Sequence, residues 1–148
     1  GGTMSPEEKL KRASIFKKMA LRDKLESSRK RQSLAVLLNE LSKNQDVRDQ
    51  LENLVEQAVS TSEAQTAMAL HSASWYNTKV RDQLELVQNR CQHLEIEISE
   101  IRKNLAHSER RRVRKTEKAE ALHKQVRQNR QDREDAALSE RGRRPRIR

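Results

Sequence analysis

The sequence predicts an all-α protein in which a long, mostly continuous helix forms a parallel, homodimeric coiled coil and ends in a disordered basic tail. Only 33% of the 148 residues are apolar and 2% are aromatic, whereas 36% are charged, so a globular core is not expected. Glycine occurs only at positions 1, 2 and 142 and proline only at 6 and 145, which leaves residues 7–141 without a strong helix breaker. The third observation is a heptad repeat in the middle of the chain.

This heptad repeat occupies residues 80–105, the predicted main coiled coil. Its apolar residues recur at alternating spacings of four and three, which places them in one narrow stripe on a helix. The stripe consists of Val80, Leu84, Val87, Cys91, Leu94, Ile98, Ile101 and Leu105. A stripe of this kind must be buried against another helix, because it cannot be buried alone. We refer to these eight residues as the main seam.

Charges beside the main seam favour a parallel, in-register partner. In the heptad register Arg90 at g would face Glu95 at e of a second copy. Glu97 and Arg102 form the next pair of the same kind. The alternative is that these charges are solvated on a helix of a larger bundle, and the seam residues do not distinguish a dimer from a trimer.

The chain begins with Gly1 to Thr3, which we interpret as a cloning remnant before Met4 in a fragment of a longer protein. Ser5, Pro6 and Glu8 then predict a helix start of the capping-box type. Residues 5–33 are predicted to form a basic amphipathic helix with a thin apolar stripe. Its apolar residues are Leu10, Ile15, Phe16, Met19, Leu21 and Leu25.

Residues 34–59 form a first heptad segment. Its seam comprises Leu34, Leu37, Leu41, Asn44, Arg48, Leu51, Val55 and Ala58, and Leu38 and Leu54 broaden it. This segment either pairs in parallel or packs as a helical hairpin or bundle. The best internal position for a kink is 42–46, but without Gly or Pro we expect the helix to continue there.

Residues 60–79 are rich in Ala, Ser and Thr and are predicted to be loosely packed. The two heptad registers differ by one residue, so a phase skip must be absorbed in this segment. Trp75 and Tyr76 stand near its end. They either face outward, where they could anchor a protein partner, or fill a wide part of the core at the phase change.

After residue 105 the seam becomes polar. It passes through Ser108, Arg112 and Lys115, and charge at these positions predicts that the strands splay. Residues 106–141 are therefore predicted to form a basic, fraying helix. Residues 142–148 are predicted to form the disordered basic tail.

Charge is unevenly distributed along the chain, whose formal net charge is +10. Residues 7–33 carry ten Lys or Arg and four Asp or Glu, whereas residues 34–101 carry five and eleven. Both ends are basic, which predicts binding to a dense polyanion. The candidate polyanion-binding residues are Lys9, Lys11, Arg12, Lys17, Lys18, Arg22, Lys24, Arg29, Lys30, Arg31, Arg110, Arg111, Arg112, Arg114, Lys115, Arg143, Arg144, Arg146 and Arg148.

The sequence does not indicate an enzyme. The four histidines lie far apart along a helix and Cys91 is the only cysteine, so no metal or cofactor site is expected. There is also no glycine-rich phosphate loop. No apolar run is long enough to cross a membrane, and the start lacks a secretory signal, so an intracellular location without membrane binding is expected.

The layout of a coiled coil with basic segments resembles the microtubule-binding regions of kinetochore and cytoskeletal proteins. The resemblance concerns architecture and rests on no specific motif. It implies binding to the acidic surface of microtubules, with a role in mitosis or in the cytoskeleton. The implied location is the nucleus, at the kinetochore or spindle, or the cytoskeleton. Non-specific DNA or RNA binding by the same residues and a role as a protein scaffold are the alternatives.

Three hydroxyl residues follow basic residues in a pattern that suits a basophilic kinase. These possible phosphorylation sites are Ser14, Ser33 and Thr116. A phosphate adds about −1.5 to −2 charges, so we expect phosphorylation to weaken binding to an acidic polymer.

Overall fold

The structure, a computed structural model, describes residues 4–60 and 66–143, with the side chains of residues 59 and 60 left aside. The described residues form two helices, α1 (Pro6–Ser60) and α2 (Ala67–Arg143), and contain no strand. The all-α prediction is therefore confirmed. The prediction of one mostly continuous helix is not, because α1 ends and α2 begins within the predicted segment 60–79.

The start of α1 follows the predicted capping pattern. The backbone N–H of Glu8 donates to Ser5 Oγ at 3.2 Å, and Pro6 is the first helical residue. Acidic Glu7 and Glu8 lie in the first turn, where they interact favourably with the helix dipole. The helix continues through 42–46 as expected, and Asn44 Nδ2 donates to the backbone oxygen of Glu40.

Thr66 caps α2, a feature that the sequence analysis did not identify. Its Oγ1 accepts a hydrogen bond from the backbone N–H of Ala69 at 3.3 Å. The other end of α2 corrects a predicted boundary, because Gly142 and Arg143 belong to its last turn and not to a tail. One Gly raises the free energy of a helix by only about 1 kcal/mol relative to Ala, so Gly142 need not end it. Residues 144–148 lie outside the described residues.

The described chain divides into two compact units. The central unit, residues 29–105, combines the second part of α1 with the first part of α2. The basic unit combines the beginning of α1, up to Ser28, with α2 from Ala106 onward. In both units the two helical segments run antiparallel.

In the central unit the main seam of α2 is buried against α1 of the same chain. Val80, Cys91, Leu94 and Ile98 are buried, and the other four residues of the seam are half-buried. The first heptad segment supplies the opposing surface, since all eight of its seam residues are half-buried. The hairpin alternative for residues 34–59 therefore agrees with the structure.

An ion pair across the central unit replaces a pair expected between two copies. Arg90 Nε donates to Glu40 Oε1 at 3.2 Å, and Nη2 donates to the same oxygen. This hydrogen bond raises the pKa of the Arg90 guanidinium above its ordinary value. Glu97 was expected to face Arg102 of a second copy. In the structure its Oε1 lies 2.7 Å from Nε2 of His93 on the same helix.

Candidate polyanion-binding surface

The interface between the helices of the basic unit is made of small and polar residues. In α1 it buries Ala13, Ala20, Asp23 and Ser27. In α2 it buries Ser108 and Ala119, the heptad positions that continue the main seam. Within the predicted fraying helix 106–141, Ser108 and Ala119 are thus packed against α1, whereas residues 127–141 are exposed and their fraying stays a prediction.

An ion pair inside this interface explains why charge in the seam is tolerated. Lys115 Nζ lies 2.7 Å from Asp23 Oδ2, and the Asp23 side chain is only 6% exposed. Arg111 also reaches across to α1, with Nη2 3.7 Å from Glu26 Oε2. Asp23 supplies the opposite charge that Lys115 lacks within its own helix, so the two segments pack instead of splaying.

These contacts divide the predicted basic block at 110–115. Arg112 donates to Glu109 through Nε and Nη2, and Arg111 donates to Ser108 Oγ at 3.4 Å. Arg111, Arg112 and Lys115 are half-buried. Arg110 and Arg114 are exposed and remain available to a ligand.

The predicted basic residues of α1 are mostly on its surface. Lys9 and Lys30 are half-buried, whereas eight are exposed: Lys11, Arg12, Lys17, Lys18, Arg22, Lys24, Arg29 and Arg31. Among the described residues, no ion pair holds Lys11, Lys18 or Arg22. These side chains are therefore presented to solvent with their charge uncompensated.

The large apolar residues of α1 in the basic unit are exposed in two groups, Leu10, Leu21 and Leu25 on one side of the cations Lys11, Lys18 and Arg22, and Ile15 and Met19 on the other. Leu10, Ile15, Met19, Leu21 and Leu25 are between 40% and 58% exposed. Phe16 is half-buried, and Lys118 Nζ lies 5.6 Å from the centre of its ring. Sequence reasoning identified these apolar residues but did not predict that Ala, Ser and Asp would form the packed side.

The remaining predicted basic residues are at the carboxyl terminus. Arg143 is exposed in the last turn of α2. Arg144, Arg146 and Arg148 fall outside the described residues.

The three possible phosphorylation sites differ in their surroundings. Ser14 and Ser33 are exposed. Thr116 is half-buried, and its Oγ1 donates to the backbone oxygen of Arg112 at 2.9 Å. A kinase would need to break this bond and reach into the helix interface to modify Thr116.

Trp75 and Tyr76 face outward in the central unit, with exposed fractions of 64% and 49%. Lys79 Nζ lies 5.7 Å from the centre of the Trp75 ring, a cation–π contact. Tyr76 lines an open groove together with Leu54, Ala58 and Leu70. The structure agrees with the outward alternative for this aromatic pair.

In the part of the chain that the structure describes, no group of three His, Cys, Asp or Glu residues is arranged to hold a metal ion. Neither α1 nor α2, as described, has a stretch apolar enough to cross a membrane. Comparison with protein-family models, curated proteins and solved structures finds no match to this chain.

Proposed function

We propose that the protein is a non-enzymatic helical interaction module that binds the acidic surface of microtubules through exposed Lys and Arg, within a kinetochore or cytoskeletal protein. One observation carries the proposal. Lys11, Lys18 and Arg22 are exposed on α1 and have no ion-pair partner among the described residues, whereas Asp23, which follows Arg22, is directed inward to Lys115. The charge available to a ligand on this surface is thus positive.

The sequence around these cations strengthens the case for an acidic partner. No Asp or Glu occurs from Lys9 to Arg22, so a polyanion meets no repulsive side chain along almost four turns of helix. Several weak contacts of this type add up when the ligand is a polymer with repeated acidic sites. Such binding is expected to weaken as salt screens the charges.

The exposed leucines favour a protein polymer over nucleic acid. Leu21 and Leu25 lie near Arg22 on the surface, and non-specific nucleic-acid binding, which runs through the phosphates, gives these apolar side chains no contact. An acidic protein surface can engage both kinds of residue. Binding to nucleic acid is therefore the competing result that the experiment must distinguish from binding to microtubules.

The parallel homodimer remains a prediction. The structure buries the main seam within one chain, so a dimer through this seam would require α1 and α2 to separate in the central unit. A single chain is sufficient to present the exposed cations to a polymer. Homo-oligomers would add avidity without changing the binding chemistry.

The test is co-sedimentation of the full chain with stabilised microtubules, intact and with their acidic tails removed, across a salt series. The variant Lys11→Glu/Lys18→Glu/Arg22→Glu is compared with the charge-conserving Lys11→Arg/Lys18→Arg/Arg22→Lys. Since one exposed ion pair contributes roughly 0.5 kcal/mol, losing three contacts predicts about tenfold weaker binding for the first variant. Absence of pelleting at low salt, or tighter binding to duplex DNA, would refute the proposal.

A further inference from the structure

A narrow apolar stripe runs along the outward side of α1 in the basic unit. Leu10, Ser14, Leu21 and Leu25 follow each other at spacings of four, seven and four. At about 100° per residue these positions fall within roughly 60° of one another around the helix. The three leucines are 43%, 57% and 58% exposed, so half of each side chain faces solvent.

Cations border this stripe on both sides. Lys17 and Lys24 lie along one edge, and Lys11, Lys18 and Arg22 lie along the other. All five are exposed, and none has an ion-pair partner among the described residues. The surface thus combines an apolar centre with two positive margins.

Packing within the chain does not account for this arrangement. The interface with α2 uses a different side of the helix, roughly 110° around the axis from the stripe, where Ala13, Ala20 and Ser27 are buried. A helix normally places its largest apolar residues in the interface and its small and polar residues outside. The leucines of this segment are therefore left for a contact that the chain does not make with itself.

We infer that this stripe docks an amphipathic helix of a partner protein, one whose own narrow apolar stripe is bordered by Glu or Asp. The inference rests on the proposed function in one respect, namely that the partner is acidic. It adds that the partner is a helix and names the residues of α1 that recognise it. Leu10, Leu21 and Leu25 pack against the apolar stripe of the partner. The flanking Lys and Arg pair with its acids, as charges beside a helical seam do.

The geometry matches a helix better than it matches a lipid surface. Helices that lie on membranes bury a broad face with several bulky residues, whereas this stripe holds three leucines over about 22 Å and has Ser14 in its gap. A narrow apolar stripe with charged margins suits packing against a single further helix. Lipid binding is thus the principal competing outcome.

The experiment measures binding of a fluorescently labelled peptide to the full chain by anisotropy. The peptide has about three heptads with Leu or Ile at a and d and Glu at e and g, and its control carries Lys at e and g. The chain variant is Leu21→Gln/Leu25→Gln. Its matched control is Leu86→Gln, which changes a leucine of similar exposure, 61%, in the central unit.

We expect the Glu peptide to bind and the Lys peptide not to bind. Leu21→Gln/Leu25→Gln should weaken the Glu peptide by about tenfold or more, while Leu86→Gln leaves it unchanged. The inference is overturned if the wild-type chain shows no binding at about 100 μM peptide, or if both variants lose affinity equally. It is also overturned if vesicles containing anionic lipid bind more tightly than the peptide, or if the chain self-associates through Leu21 and Leu25.

The same variants separate this inference from the proposed function. Microtubule pelleting that persists in Leu21→Gln/Leu25→Gln while peptide binding by the wild-type chain is absent refutes the helix-docking inference alone. Peptide binding by a chain that does not pellet with microtubules refutes the choice of microtubules and supports helix docking. Circular dichroism of each variant confirms that exposed substitutions leave the helices intact.

Discussion

Asp23 of α1 and Lys115 of α2 form an ion pair inside the basic unit, with 2.7 Å between Oδ2 and Nζ. The sequence shows Lys115 as a member of a dense basic block that is expected to repel its neighbours and bind a polyanion. In the structure it holds two helices together. The Asp23 side chain is 6% exposed and that of Lys115 21%, so solvent screens the pair only in part.

Replacing Asp23 alone should destabilise the protein. Asp23→Ala leaves the Lys115 ammonium without its partner in the helix interface, and the partial exposure of Lys115 limits the loss to about 1–3 kcal/mol in the free energy of unfolding. Urea denaturation followed by circular dichroism measures this loss. The double variant Asp23→Leu/Lys115→Leu serves as the comparison and should recover stability, because an apolar pair of similar size avoids burying charge. Equal losses in the two variants would contradict this account.

Removing the Ser27 hydroxyl should stabilise the protein, in contrast to the loss of Asp23. Ser27 is fully buried and its Oγ has no hydrogen-bond partner among the described residues, so the hydroxyl loses its hydration on folding without compensation. Ser27→Ala should increase the free energy of unfolding by about 1 kcal/mol, since Ala also has the higher helix propensity. Ser28→Ala, which changes the exposed neighbour, is the matched control and tests the propensity contribution alone.

Charge reversal within the block at 110–112 should affect stability as well as binding. Arg111 contacts Glu26 across the interface and Arg112 contacts Glu109, whereas no residue that the structure describes forms an ion pair with Lys18 or Arg22. Arg111→Glu/Arg112→Glu should therefore lower the midpoint of thermal unfolding, and Lys18→Glu/Arg22→Glu should leave it unchanged while weakening polymer binding. An unchanged midpoint in the first variant would show that these arginines act only at the surface.

The stripe of residues 80–105 was predictable, but the helix that covers it was not. A heptad repeat states that one side of a helix is buried, and all eight residues of the main seam are buried or half-buried. It does not state which chain supplies the partner. Arg90 satisfies its charge with Glu40, 50 positions away in the same chain, as readily as it could with Glu95 of a second copy. The pattern of charges was therefore compatible with both arrangements.

The basic unit was harder to predict for a different physical reason. Sequence reasoning assigns large apolar residues to the interface, but Leu21 and Leu25 are exposed while Ala20 and Ser27 are buried. The small residues share the heptad positions that Leu34 and Leu41 occupy farther along α1, a periodic signal that continues unbroken through both units. Reading that register backward from the leucines would have located the packed side of α1, including Asp23.

Phosphorylation is predicted to act at Ser14 and Ser33 and not at Thr116. Ser14 is exposed between basic residues, so Ser14→Asp/Ser33→Asp should weaken microtubule binding without lowering stability. Thr116→Asp should instead lower the thermal midpoint, because it removes the hydrogen bond to Arg112 and places a charge in the interface. Co-sedimentation and thermal unfolding of both variants measure the two effects. If Ser14→Asp/Ser33→Asp binds as the wild type does, phosphorylation at these serines does not regulate binding.

The reactivity of Cys91 distinguishes the structure from the parallel homodimer predicted by the heptads. Cys91 is 3% exposed and packs inside the central unit, so it should react slowly with a thiol reagent under native conditions and rapidly in denaturant. A parallel, in-register dimer would place two Cys91 side chains opposite each other at position a. Mild oxidation would then convert the protein to a disulfide-linked dimer.

We expect the native protein to run as a monomer on non-reducing gels after oxidation, at the same position as with a reducing agent. Cys91→Ser is the control for non-specific cross-linking. A disulfide-linked band that disappears in Cys91→Ser would show that the main seam pairs between two chains, because the hairpin keeps this thiol away from any second copy.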